Sequence, residues 1–315
     1  MSEFDRWIPA VVRDGDGAPE VDWFLRGRAR FDGTTFGDVV ARSMRRPFNF
    51  AFARTTPLGD LESIAAGSAT LPLSGIVAHM SRCGSTLVAR MLGASGAVRV
   101  VAEAHPIEAM LNLPGTDEER VRRLRAMVAI FGRPGTERET HYVLKLDAWS
   151  TRHLPLFERA FPGVPWIFSY RDPLEVVVSH LRGFSLFMSA ANAPRTLEMG
   201  VAEAMHVPRP EFCARVLHRV MEDAIAAGAA GERLVDYAES PGAVETWVAP
   251  YFGLPTDDAT SAAMRAATTG HAKRPSDAFV PDVAEKRASA DEGVVAATAR
   301  FADATYARLT ALRRG

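Results

Sequence analysis

From residue 75 onward, short apolar runs alternate with segments of helical character, and this alternation limits the possible folds more than any other feature of the chain. The runs are Gly75–His79, Val98–Ala102, Tyr142–Leu146 and Trp166–Tyr170, with a last one at Arg233–Tyr237. Between them, Ser85–Leu92 has helical character. Residues 117–131 place Val121, Leu124, Met127, Val128 and Phe131 at helical spacing, with Arg120, Arg122 and Arg123 opposite. Helices are also expected near 150–160 and 210–227. Pro173 suits the first turn of another, and Val294, Phe301, Thr305, Leu309 and Leu312 mark one face of a C-terminal helix. Apolar strands alternating with helices predict a parallel sheet covered on both faces. The expected fold is a single three-layer α/β domain over 71–315. Residues 183–210, with Gly183, Gly200, Pro194, Pro208 and Pro210, read as a lid or acceptor-binding excursion. Residues 1–70 carry Trp23, Phe24, Leu25, Phe31, Phe36, Phe48, Phe50 and Phe52 without a period, and are expected to cover the core.

A chain of 315 residues suits one such domain. Lys+Arg total 37 and Asp+Glu 38, a balance that weighs against a general nucleic-acid binder. Two cysteines, Cys83 and Cys213, are too few for a disulfide framework and read as reduced thiols of a cytoplasmic protein. The N-terminal sequence lacks a signal-peptide pattern and no apolar run is long enough to span a bilayer, so no membrane span is expected.

The sharpest local signal is the stretch His79-Met80-Ser81-Arg82-Cys83-Gly84-Ser85-Thr86-Leu87, which leaves a strand and opens a helix. Free N–H groups at a helix start, with the helix dipole behind them, suit a phosphate or sulfate. Gly84 lets the backbone approach the anion. Ser85 and Thr86 can donate hydroxyls, and Arg82 adds a fixed charge. The stretch departs from the nucleotide-triphosphatase loop G-x-x-x-x-G-K-[ST], because Ser85 stands in the lysine's place and the first glycine is missing. An ordinary strand-to-helix turn is the plainer alternative. A second signal is Arg171-Asp172-Pro173, with Ser179 eight residues beyond the arginine and about two helical turns into the next helix. Arginine and hydroxyl so placed can reach one phosphate. Equally, Arg171 can pair with Asp172 or Glu175.

Together, the Ser81–Thr86 loop and the Arg171/Ser179 spacing resemble the superfamily of sulfotransferases that use 3′-phosphoadenosine 5′-phosphosulfate (PAPS). The likeness is to its bacterial members, with some to tyrosylprotein sulfotransferases. It covers about residues 75–240. It implies a P-loop-type sheet in which Arg82, Cys83, Gly84, Ser85, Thr86 and Leu87 hold the 5′-phosphosulfate, and Arg171 and Ser179 the 3′-phosphate. Leu234–Glu239 is similar to the family's strand ending near the adenine, which implies Tyr237 there. The family's C-terminal basic loop is absent as such. Lys273 and Arg274, or Lys286 and Arg287, are the candidates for its work.

Sulfuryl transfer is largely positioning plus stabilisation of charge on the leaving group. Arg82 and Lys145 are the candidates for that charge, since an unpaired lysine inside an apolar strand is costly; the plainer alternative is that the Lys145 ammonium reaches past the strand end to a structural carboxylate. The resemblance points to Glu103 as the base, with Asp147 second and His105 and His153 further options. PAPS is the implied donor, with adenosine 3′,5′-bisphosphate as product and no metal expected. The acceptor would be a hydroxyl or amine of a small molecule or peptide. Two rival readings stay open, a P-loop ATP-dependent small-molecule kinase and a non-catalytic nucleotide-binding protein. Apolar Phe184, Leu186, Phe187 and Met188 either line an acceptor pocket or belong to the core.

Overall fold

A six-stranded, wholly parallel sheet forms the centre of the computed structural model. The structure describes residues 3–314 apart from 16, 28–29, 184–185, 272–273 and 279–282; at 34, 186, 270–271 and 274–278 it describes backbone alone. The central strands are β3 (Asp32–Thr35), β5 (Leu73–His79), β6 (Val98–Ala102), β7 (His141–Lys145), β8 (Trp166–Tyr170) and β9 (Leu234–Asp236), in the spatial order β3-β6-β7-β5-β8-β9. The chain runs from β5 outward to β6, returns to β7, then crosses β5 to β8. Strand ends on either side of such a reversal open a crevice at the carboxyl edge of the sheet.

Side chains alternate between the two faces of each strand, and the core divides accordingly. Ile76, Ala78, Val101, Tyr142, Leu144, Trp166, Phe168 and Tyr170 belong to one apolar cluster. Val77, Val98, Val100, Val143, Ile167 and Val235 belong to the other. Onto the second face pack Val88, Ala89 and Leu92 of the helix Ser85–Gly93, with Val244, Val248, Phe252 and Met264. The first face is covered by Leu124, Met127, Ile130 and Phe131 of the helix Asp117–Phe131, and by Val176 and Val177 of Pro173–Leu181. Each large apolar side chain so buried contributes about 1.5–3 kcal/mol. Thr116 caps Asp117–Phe131: it accepts from Glu119 N–H at 3.2 Å, while the Glu119 carboxylate accepts from Thr116 N–H at 2.8 Å.

The N-terminal segment does two things. Strands β1 (Trp7–Asp14), β2 (Pro19–Leu25) and β4 (Arg54–Pro57) make a separate antiparallel sheet. Strand β3 instead joins the edge of the central sheet beside β6. Gly33 makes that approach feasible, since a Cβ there would lie 2.5 Å from the backbone of Ala89. The 183–210 excursion, where described, consists of short helical turns at Leu186–Met188, Ala190–Asn192, Ala193–Thr196 and Val201–Ala204. Among the described residues, no helix is long and apolar enough to cross a membrane.

Candidate functional site

Four parallel strands deliver their last residues to one edge of the sheet: His79 from β5, Glu103 just beyond β6, Lys145 from β7 and Arg171 just beyond β8. The loop after β5 is the most contorted segment there. Ser81 (φ 73°), Arg82 (φ 50°) and Gly84 (φ 81°) are all left-handed. Closely spaced left-handed residues turn their N–H groups into a concavity that suits an anion, and the helix Ser85–Gly93 starts directly behind it. Gly84 is required twice, by its φ and because a Cβ would meet the Tyr237 ring at 2.9 Å. Arg82, Thr86 and Leu87 are partly exposed, whereas Ser85 is buried. Cys83 turns inward. Its thiol donates to the Ser169 carbonyl at 3.1 Å and burial pushes its pKa up, which disfavours the thiolate.

Because β5 and β8 are paired neighbours, the loop and Arg171 emerge side by side. The Arg171 backbone N–H approaches the Met80 sulfur at 3.2 Å, and its guanidinium lies 3.9 Å from the centre of the Tyr237 ring. Tyr237 thus sits between the loop glycine and the arginine. Arg171 also bonds Glu175 at 2.7 Å, with both side chains about 5% exposed or less. This is the carboxylate pairing the sequence left open. The C-terminal region reaches the same corner: Arg287 bonds Glu175 at 2.9 Å and Asp172 at 2.7 Å. The adjacent Lys286 is buried in the helix Val283–Ala288. Ser179 is partly exposed two turns along Pro173–Leu181. Lys273 lies outside the described residues, as does the side chain of Arg274.

On the other side of the loop, Lys145 is 1% exposed and bonds Glu103, which adopts a left-handed φ of 56° and is 28% exposed. His79 Nε2 lies 3.0 Å from Lys145 Nζ and 3.5 Å from Glu103 Oε1. Although burial opposes it, the nearby Lys145 and His79 hold Glu103 far below the usual carboxylate range. Asp147 shows the reverse. Burial, then the charges of Glu103 and Glu108, push its carboxyl well above the usual range, and it caps the turn Ala148–His153 by accepting from Trp149 N–H. Two carboxylates in one crevice therefore carry opposite proton preferences.

The remaining candidates sit elsewhere. His105 packs edge-on against Phe36, 5.1 Å between ring centres. His153, beside Arg152 and Arg120, has a pKa pushed down to about 4, mainly by burial. The Phe187 ring lies 5.4 Å from that of Trp149, so the excursion starts over the Asp147 turn; Met188 is buried. Sequence reasoning missed His79. A signal for Lys145 also went unread: it is one of only three lysines in the chain, against 37 basic residues of both kinds.

No family model matches the chain, and neither does any curated protein. It is similar to the crystal structure of sulfotransferase STF9 from Mycobacterium avium, at 14% identity over 78% of this chain and 79% of that one, with a TM-score of 0.44. It is also similar to a sulfotransferase domain from the curacin biosynthetic pathway, at 13% identity over 77% and 98%, with a TM-score of 0.41.

Proposed function

We propose that this chain is a sulfotransferase that moves the sulfuryl group of PAPS to a hydroxyl or amine of a small-molecule or peptide acceptor. The observation that carries the reading is the stack of Gly84, Tyr237 and Arg171, which sets an anion-binding loop and a separate arginine corner side by side at one crevice. Two grips so placed suit a donor that carries phosphate groups at both ends of its ribose. The loop N–H groups, Arg82, Ser85 and Thr86 take the 5′-phosphosulfate. Arg171 and Ser179 take the 3′-phosphate, with Arg287 beside them.

In the reaction, an acceptor oxygen or nitrogen forms a bond to sulfur while the bond from sulfur to the phosphate oxygen breaks. The electron pair leaves with the phosphate, and the acceptor's proton goes to a base. Lys145 and Arg82 offset the charge on the departing oxygen. Glu103, partly exposed at its strand end, is the proposed base. Held by Lys145 it is a weak one. As Lys145 turns to the leaving oxygen, that hold is lost and Glu103 becomes basic enough to accept the proton. Asp147, largely buried and inclined to stay protonated, is the second choice for base.

Thermal unfolding with ligands tests the reading. Adenosine 3′,5′-bisphosphate without magnesium, at 100 times its Kd, should stabilise the chain by about 2.7 kcal/mol. Unfolding entropy of about 2.1 cal/mol/K per residue makes this a rise of about 4 °C. Stabilisation by ATP with magnesium, and none by the bisphosphate, would overturn the proposal.

A further inference from the structure

We propose that His79 is a positioning residue that ties the anion-binding loop to the Lys145–Glu103 pair, using one ring nitrogen for each side. The inference rests on the reading above, in which that loop and that pair serve one reaction.

The chemistry of the two nitrogens fixes the assignment. Backbone N–H groups only donate, and the N–H of Ser81 donates to His79 Nδ1 at 3.0 Å. Nδ1 therefore carries no proton, and in a neutral ring the proton is on Nε2. The Leu146 carbonyl, 3.1 Å from Nε2, is there to accept it. Burial and Lys145 both disfavour a charged ring, and its pKa is pushed down to about 4. A protonated Nε2 has no lone pair to offer Lys145, although Nζ is only 3.0 Å away. The ring thus acts toward Lys145 as a wall. It limits the ammonium to the side where Glu103 lies, which is also the partly exposed side of the pair.

The opposite edge of the ring has a different task. Ser81 is left-handed without being glycine, a conformation that costs free energy unless its surroundings hold it. The bond from its N–H to Nδ1 is such a hold, and Ser81 Oγ lies 3.3 Å from His180 Nε2 on the far side. Loss of Nδ1 removes one side of this clamp and loosens the loop; loss of Nε2–H frees the ring and with it Lys145.

Two amide substitutions separate these tasks. In His79→Asn the short amide oxygen can stand in for Nδ1 but reaches no further. In His79→Gln the longer amide can stand in for Nε2–H and leaves the Ser81 N–H without its acceptor. His79→Phe removes both. Two measurements on the full chain read the outcome: affinity for adenosine 3′,5′-bisphosphate by calorimetry, and the Lys145 side-chain resonance by NMR with 13C-labelled lysine. With three lysines in the sequence the spectrum is sparse, and Lys145→Arg identifies the signal. His79→Asn should bind within about threefold of the unsubstituted chain but shift the Lys145 resonance. His79→Gln should weaken binding about tenfold and leave the resonance in place. His79→Phe should do both; if it does not fold, the Asn and Gln variants decide alone. Asn and Gln variants that behave alike in both measurements would overturn the inference, as would a resonance that none of the substitutions moves. An unsubstituted chain that fails to bind the bisphosphate would overturn the donor reading instead, and the lysine resonance would still judge His79 because it needs no ligand.

Discussion

Glu175→Gln is the substitution whose consequences follow most directly from the arginine corner. Glu175 is 3% exposed, and its carboxylate holds the buried Arg171 guanidinium through one oxygen and the exposed Arg287 through the other. The substitution keeps the shape and removes the charge. Removing one partner of a buried ion pair costs about 3–5 kcal/mol, because the other charge stays behind without compensation. The contact with Arg287 adds little, since its side chain is 59% exposed and solvent screens it. An unfolding entropy of about 2.1 cal/mol/K per residue gives about 0.7 kcal/mol/K for the whole chain. The midpoint of thermal unfolding should therefore fall by about 4–8 °C. Saturating adenosine 3′,5′-bisphosphate supplies Arg171 with a new anionic neighbour on the proposed reading, and should close at least half of that gap. Scanning calorimetry with and without the nucleotide makes the comparison. A fall under about 1.5 °C, the range of an exposed pair, would refute the burial argument. A gap of equal size in both conditions would show that Arg171 does not meet the 3′-phosphate.

Three further outcomes follow. Gly84→Ala forces a left-handed alanine and a 2.9 Å contact with Tyr237, so bisphosphate affinity should fall at least tenfold, about 1.4 kcal/mol; unchanged affinity by calorimetry would remove the loop from the site. Cys83 and Cys213 are both buried, and burial raises both thiols, that of Cys213 to about 11. Neither should react with Ellman's reagent in the native protein and both should react in denaturant; one equivalent titrating natively would mean that the loop opens. His153 is held near 4 in the folded chain and protonates near 6.5 when unfolded. From pH 6.5 down to about 4 the unfolded state binds more protons, so this residue lowers stability as pH falls, by up to about 3 kcal/mol. Asp147, raised above 3.8 on folding, works in the opposite direction as pH falls. His153→Gln should therefore lose less stability than the unsubstituted chain between pH 6.5 and 4.5 in urea unfolding, and equal losses would refute the assignment.

Legibility along the sequence tracked how strongly each segment is constrained by its own residues. Trp166–Tyr170 could be read because both faces of β8 are buried, which leaves an unbroken apolar run. Asp117–Phe131 could be read because one face alone is apolar. Strand β7 begins at His141, one residue earlier than the apolar run, because a strand's first residue can be polar. The antiparallel sheet of β1, β2 and β4 could not be read. A bulge between Pro9 and Val11 shifts the side chains of β1 halfway along, which destroys the alternation that betrays a strand. Strand β3, Asp-Gly-Thr-Thr, has no apolar residue, and its place is set by the edge it finds on β6.

At the site, the candidate residues could be named because parallel strands must deliver their ends to one edge, so Glu103, Lys145 and Arg171 were bound to converge. Which partner each would take could not be read, and that is where the chemistry lies. Two buried cations of the crevice already hold carboxylates: Lys145 holds Glu103, and Arg171 holds Glu175. An isolated buried cation would be costly, so a chain that must fold before it meets an anionic donor needs internal anions in those places. On the proposed reading the two carboxylates then have different fates. Glu175 keeps Arg287 as a partner when Arg171 turns to a phosphate, and so remains a structural anion. Glu103, partly exposed and paired chiefly with Lys145, is left with a rising proton affinity beside the acceptor. On that reading the folding requirement and the catalytic requirement are met by the same ion pair, and Glu103→Gln should therefore cost both stability and turnover, whereas Asp147→Asn should spare stability.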